Sequence, residues 1–153
     1  MPDPTVEAAR SVVEDGLAGV REAVAGATAE MLNWRPAGPD SNSAAVLAVH
    51  GLSSTRHWLS IALGVPPPDR DRPSEFRAQV SDPDELLGFV DRTSADIRRL
   101  FELPDGYEPG LLREDEGTTA AWALVHAAEH LKEHVGHLQL TRQLWQERSA
   151  PTT

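Results

Sequence analysis

From residue 118 to about residue 148 the chain runs without a proline, and a stretch of that length with no breaker and no strict polar–apolar alternation is read as one long helix. Three further segments carry the same three-to-four residue period. Over residues 5 to about 25, Val6, Ala9, Val13, Leu17, Val20 and Val24 form an amphipathic stripe, which Gly16, Gly19 and Gly26 weaken without breaking. The turn ATAEMLNW leads into RPAGPD, where Pro36 and Pro39 end regular structure; Asp40, Ser41 and Asn42 then offer caps for a second helix, AAVLAVHGLSSTRHWLSIAL, ending at Leu63.

GVPPPDRDRPSEF follows as a proline-rich surface connection. Ser81 with Asp84 resembles a capping arrangement for a third helix, DPDELLGFVDRTSADIRRLFE, whose stripe is Leu86, Phe89, Val90, Ile97, Leu100 and Phe101. Residues 105 to 117 are turn-rich and acidic, and the last helix ends in a frayed SAPTT tail. No segment alternates as a half-buried strand does and no unit repeats. Four long helices with long connections predict an all-α fold, a four-helix bundle forming a single domain over residues 1–153, compatible with up-down-down-up connectivity. The loops at 64–76 and 103–117 are placed to shape a pocket mouth.

A length of 153 residues suits one hydrophobic core. The formal charge of -10, with no basic run, argues against nucleic-acid partners. There is neither a long apolar run nor a basic start followed by a hydrophobic stretch, so no membrane association is expected and the cytoplasm is the expected location. The chain has no cysteine, which removes disulfides, thiolate ligands and a cysteine nucleophile together, so any thiol chemistry must use a thiol from outside.

Four of the six histidines lie in HAAEHLKEHVGH, residues 126 to 137. At about 100° per residue, with His126 as zero, His130 falls near 40°, His134 near 80° and His137 near 20°, so all four share one face. Single histidines on a mixed face are more often solvated or hydrogen-bonded than metal ligands. Four on one arc are different, because a cation gives their lone pairs partners at once. Both His126/His130 and His130/His134 have the i, i+4 spacing that lets one helix supply two ligands. A third must come from elsewhere: His50 shares the inward face of Val46, Leu47 and Ser54, whereas His57, beside Trp58, lies nearer the helix end as a rim residue or outer donor.

HAAEH and HLKEH also match the H-x-x-E-H pattern of inverzincin metalloproteases, but only 19 residues follow His134, too few for a further acidic ligand well downstream. No Glu-x-x-His occurs on any helix, which argues against a carboxylate-bridged di-iron bundle. Ser53 and Ser54 lack a G-x-S-x-G elbow and read as small packed residues. Glu129 and Glu133 read as solvated charges or outer partners of the histidines, and the four tryptophans as anchors, with Trp34 or Trp122 available to line a pocket.

LNWRPAGPDSNSAAVLAVHGLSSTRHWL and HLKEHVGHLQLTRQL, in that order, resemble the two metal-bearing segments of the DinB/YfiT-like family, and with the helix pattern the likeness covers nearly the whole chain. The resemblance implies His50, His130 and His134 as ligands of a divalent ion, zinc or nickel, with Gly136 at the family glycine and His126, His137 and His57 as near neighbours. It implies a homodimer, a small-molecule substrate, and a low-molecular-weight thiol, mycothiol or bacillithiol, as cosubstrate in S-transfer or isomerisation. A thiol at such an ion would lose its proton near neutral pH and become a nucleophile, which suits a chain without cysteine. The leading expectation is therefore a metal-dependent thiol transferase or isomerase with no assigned general base. A small metal-dependent hydrolase and a non-catalytic metal-binding stress-response protein are the alternatives.

Overall fold

Asp3 opens the first helix: its carboxylate accepts hydrogen bonds from the Thr5 and Val6 amides, and Pro4 follows at the first helical position, where the missing N–H costs nothing. The computed structural model describes residues 3–103, 106–113 and 117–151. Four long helices dominate them: α1 (Pro4–Val24), α3 (Ala44–Ala62), α5 (Pro83–Leu100) and α6 (Ala120–Ser149), with the short helices α2 (Ala29–Asn33) and α4 (Arg72–Glu75) in the connections. The fold is an all-α four-helix bundle, as the periodicity predicts.

Three local details differ from the expectation. Ser43 caps α3 in place of the three residues before Asn42's successor, and Asp82 caps α5 in place of Ser81; in each case the residue next to the first turn reaches its amides. The connection after α3 carries α4, started by Asp71, whose side chain accepts from the Ser74 amide. A small antiparallel ribbon also forms, β1 (Leu112–Arg113) with β2 (Thr118–Thr119), pairing Leu112 with Thr119 and Arg113 with Thr118. Two residues per strand leave no room for alternation to show in the sequence. Thr119 ends the ribbon and caps α6 through the Trp122 amide. Of the acidic loop expected at 105 to 117, residues 105 and 114–116 lie outside the described residues, as do residues 152 and 153 of the tail.

Contacts between helices fix their directions. Gly16 and Gly19 of α1 face Leu131 and Val135 of α6, and Arg142 further along α6 reaches the Glu22 and Ala23 carbonyls, so α1 and α6 run parallel. Gly51 faces His134 while Trp58 meets Trp122, so α3 runs against α6. Arg21 pairs with Asp91 and Glu14 with Arg98, so α5 runs against α1. The connectivity is thus up-down-down-up, with α6 packed between α1 and α3 and with α5 closing the ring on the other sides of those two.

The core runs along this ring through Val13, Leu17, Val20, Leu52, Leu59, Val90, Ile97, Leu124, Leu131 and Leu138, all essentially without solvent contact. Burying each such side chain contributes about 1.5–3 kcal/mol. The predicted α1 stripe is buried except for half-buried Val6, and Phe89 and Leu100 of α5, with Phe101 just after it, pack on the core's edge. No helix of the described residues is long and apolar enough to cross a membrane.

Candidate metal centre

Ser43 sets the phase of α3, and from that start Val46, Leu47, His50 and Ser54 fall on the inward face, all of them buried. His50 is 5% exposed, with its ring 4.5 Å from that of Phe76. Across the α3–α6 seam stand His130 and His134, one turn apart, their rings 4.4 Å from each other and each 5.1 Å from that of His50. Gly51 makes the approach possible: a Cβ built there would lie 3.3 Å from the His134 Cβ, tighter than ordinary contact. One nitrogen from each of the three histidines lies within 4.8 Å of the others, a grouping that could hold a metal ion.

The donor set fits such an ion. His130 and His134 point Nε2 at Nε2 across 3.2 Å. Two nitrogens bound tetrahedrally to one ion at roughly 2.0–2.1 Å would stand about 3.3 Å apart. His50 spends Nδ1 on the Glu75 carboxylate, which leaves Nε2 as its donor to the site. Burial, then the charges of His50 and His126, pulls the His130 pKa down to about 4; burial, then His130, His50 and His137, pulls that of His134 down to about 3. His50 is lowered too, by burial first, against the opposing pull of Glu75. All three imidazoles are therefore neutral at pH 7 and have lone pairs to give.

The other histidines stay outside this grouping. His126 is stacked on Trp122 at 4.6 Å, and its Nδ1 is 3.1 Å from the Glu129 carboxylate, which draws the ring toward the surface. His137 is exposed, its ring 5.9 Å from that of His134. His57 is half-buried with its ring against Trp58, in keeping with a rim position. Trp122 is 50% exposed beside Trp58 and His126, whereas Trp34 packs edge-on against Trp145 away from the histidines.

Sequence reasoning missed Glu75 and Arg70. Glu129 and Glu133 are both exposed, in keeping with solvated charges, and the carboxylate that reaches the triad is Glu75 from α4, 5% exposed and 2.7 Å from His50 Nδ1. Arg70 grips it with Nε at 2.6 Å from Oε1 and Nη2 at 2.9 Å from Oε2. Burial pushes the Glu75 carboxyl up, but the bonds from Arg70 and His50 outweigh it and hold the group below the usual carboxylate range. The available signal was the Asp71-Arg-Pro-Ser-Glu75 string, a cap residue followed by a short helix inside a proline-rich stretch.

Comparison with known proteins agrees with this architecture. The crystal structure of a conserved protein from Enterococcus faecalis is similar over 94% of this chain and 98% of that one, with a TM-score of 0.73 at 17% identity, a likeness that speaks for the fold alone. No curated protein matches the chain in sequence. The family model of the DinB superfamily matches residues 13–138, a span that includes parts of all four long helices and the three clustered histidines, and the chain belongs to that superfamily.

Proposed function

We propose that this chain binds one divalent ion, zinc or nickel, through His50, His130 and His134, and uses it to activate a low-molecular-weight thiol of the mycothiol or bacillithiol type for transfer to, or isomerisation of, a small electrophile. The observation that carries the reading is the convergence of three neutral imidazoles in a chain that has no cysteine of its own. As three neutral ligands, His50, His130 and His134 would leave a bound divalent ion its full charge, and such an ion would lower the pKa of a thiol offered to it.

The rest falls to the protein's own groups. Burial of His50 and His134 keeps water from competing for their lone pairs. Arg70 and Glu75 together add no net charge near the site, so the ion's charge is not offset from that side. In the transfer the thiol gives its proton to solvent, and its sulfur forms the new carbon–sulfur bond while the electrophile's leaving group departs with the electron pair. In the isomerisation the same sulfur adds and is later expelled.

The test is elemental mass spectrometry on protein purified without chelator. About one ion per chain is expected, lost in His50→Ala, His130→Ala and His134→Ala and kept in His126→Ala. The loaded protein should then consume a maleyl-type or alkyl halide electrophile only when a small thiol is present. Absence of stoichiometric metal sinks the reading, and turnover of esters without thiol would replace it with hydrolysis.

A further inference from the structure

Glu75 lies 25 residues beyond His50 in the sequence, in a helix of four residues, yet it is as buried as any side chain of the site. A carboxylate is costly to bury, and one so placed must repay that cost through its partners. The surrounding segment is pinned to carry it there. Asn33 of α2 exchanges two hydrogen bonds with the backbone of Val80, its amide donating to the carbonyl at 2.7 Å and its carbonyl accepting from the amide at 2.8 Å. Arg35 donates to the Phe76 carbonyl at 3.4 Å, and the Phe76 ring lies against His50.

The protons in this cluster can be located from the distances. Both Glu75 Oε2, at 2.7 Å, and Arg70 Nη2, at 3.4 Å, approach His50 Nδ1, and the two cannot both be its hydrogen-bond partner. A bare Nδ1 would set its lone pair against a carboxylate oxygen at 2.7 Å, a repulsive contact, so a proton must lie between them. Arg70 donates to both oxygens of Glu75 and so favours the ionised carboxylate. The proton is therefore on Nδ1, and the longer Arg70 contact is a neighbour only. A neutral ring with Nδ1 protonated has its lone pair on Nε2, the atom left to face His130 and His134.

We propose that Glu75, kept ionised by Arg70, is a positioning residue that locks His50 in the Nδ1–H tautomer and turns its Nε2 lone pair onto the triad. The other two histidines have no such support: the Nδ1 atoms of His130 and His134 are buried without a hydrogen-bond partner among the described residues. Among the described residues no hydrogen bond to Nδ1 orients those two rings, whereas His50 has a carboxylate dedicated to its own. Carboxylate–histidine pairs of this kind typically change metal affinity 10–100-fold when broken. That consequence for the ion rests on the function proposed above; the tautomer does not.

The deciding experiment is a long-range proton–nitrogen correlation spectrum of the full chain, labelled with nitrogen-15 at histidine and freed of metal by chelator, with the His50 signals assigned through His50→Gln. Wild-type protein should show His50 protonated at Nδ1 and bare at Nε2. Glu75→Ala should shift it to the Nε2–H form that free imidazole prefers, while Glu75→Gln, which keeps an acceptor, should retain the native form. A bare Nδ1 in wild-type protein overturns the proposal even if no variant folds, and so does an unchanged tautomer in folded Glu75→Ala. In parallel, chelator competition should show ion affinity falling 10–100-fold in Glu75→Ala. If wild-type protein holds no ion, the functional reading fails and the tautomer result still decides the role of Glu75.

Discussion

His130 and His134 oppose each other Nε2 to Nε2 at 3.2 Å inside the α3–α6 seam, an arrangement that tolerates one proton or one cation between the rings and penalises two charges. Without metal, this pair makes the bundle sensitive to acid. The ordinary histidine value is 6.5, and burial together with the neighbouring imidazoles takes His130 to about 4 and His134 to about 3.

Between pH 6.5 and pH 4 the unfolded chain binds protons at these two positions that the folded chain refuses, so metal-free protein loses stability as the pH falls through this window. The loss should be several times larger than that of a surface histidine, and it should be complete only near pH 3, at the lower folded value. Glu75, lowered in the folded state, adds to the fall once the pH drops below 4.5, its unfolded value. Urea unfolding of chelator-treated protein at steps from pH 7.5 to pH 4 measures this. His130→Gln with His134→Gln should flatten the upper part of the profile, and an equally steep profile in that double variant would refute the assignment.

Arg142 of α6 places Nη1 2.6 Å from the Glu22 carbonyl and 3.0 Å from that of Ala23, at the end of α1 where helix carbonyls lack internal partners. A cation at a helix C-terminus is favourable for the same reason. Arg142→Met, which keeps the aliphatic stem, should cost about 1–2 kcal/mol in chemical denaturation and leave ion binding untouched, since Arg142 is two turns from His134. A change below about 0.3 kcal/mol would mean that water replaces the guanidinium without loss.

The helices were legible because their inward positions repeat at the helical period: Val13, Leu17 and Val20 in α1 and Leu86, Val90 and Ile97 in α5 are buried as that spacing requires. Helix phase alone put His126, His130, His134 and His137 on one face but could not choose among them. The choice depends on Trp122 and Glu129, which hold His126 outward, and on α3, which brings His50 opposite His130 and His134. Glu75 was illegible for a different reason: no period marks the segment between α3 and α5, and its burial follows from bonds that only the folded chain makes, Arg70 to Glu75 itself, Asn33 to Val80 and Arg35 to Phe76. Gly16 and Gly19, which weaken α1 as a helix, likewise had no visible reason until α6 was seen against them.

That packing predicts a reversal of sign. A Cβ at Gly16 would lie 2.7 Å from Leu131 Cδ2 and 2.9 Å from Leu131 Cγ, and the next atom, Lys132 Cδ, is at an ordinary 3.7 Å. Leu131→Ala alone removes a fully buried side chain and should cost about 2–5 kcal/mol. Gly16→Ala alone should destabilise by roughly 1–3 kcal/mol, because overpacking against Leu131 exceeds the gain in helix propensity. In the Leu131→Ala background both clashing atoms are gone, and Gly16→Ala should become stabilising by about 0.5–1 kcal/mol. A double-mutant cycle in urea reads this directly, and additive effects would show that α1 and α6 relax apart instead of holding their spacing.

Gly51 offers the corresponding test at the candidate metal centre. Its missing Cβ would meet the His134 Cβ at 3.3 Å, and that atom is the base of a side chain of the histidine triad, which cannot swing aside as a Leu tip can. Gly51→Ala gains up to about 1 kcal/mol of helix propensity, so the metal-free protein should be about as stable as wild type or slightly more so. The α3–α6 seam must nevertheless open by a few tenths of an ångström, which moves His50 away from His130 and His134 together. Ion affinity should therefore fall several-fold while the unfolding midpoint of metal-free protein holds, a separation that loss of folding cannot mimic. Chelator competition beside urea unfolding distinguishes the cases: unchanged affinity would mean that the three histidines adjust independently of helix spacing, and a joint loss of both would mean that Gly51 serves packing alone.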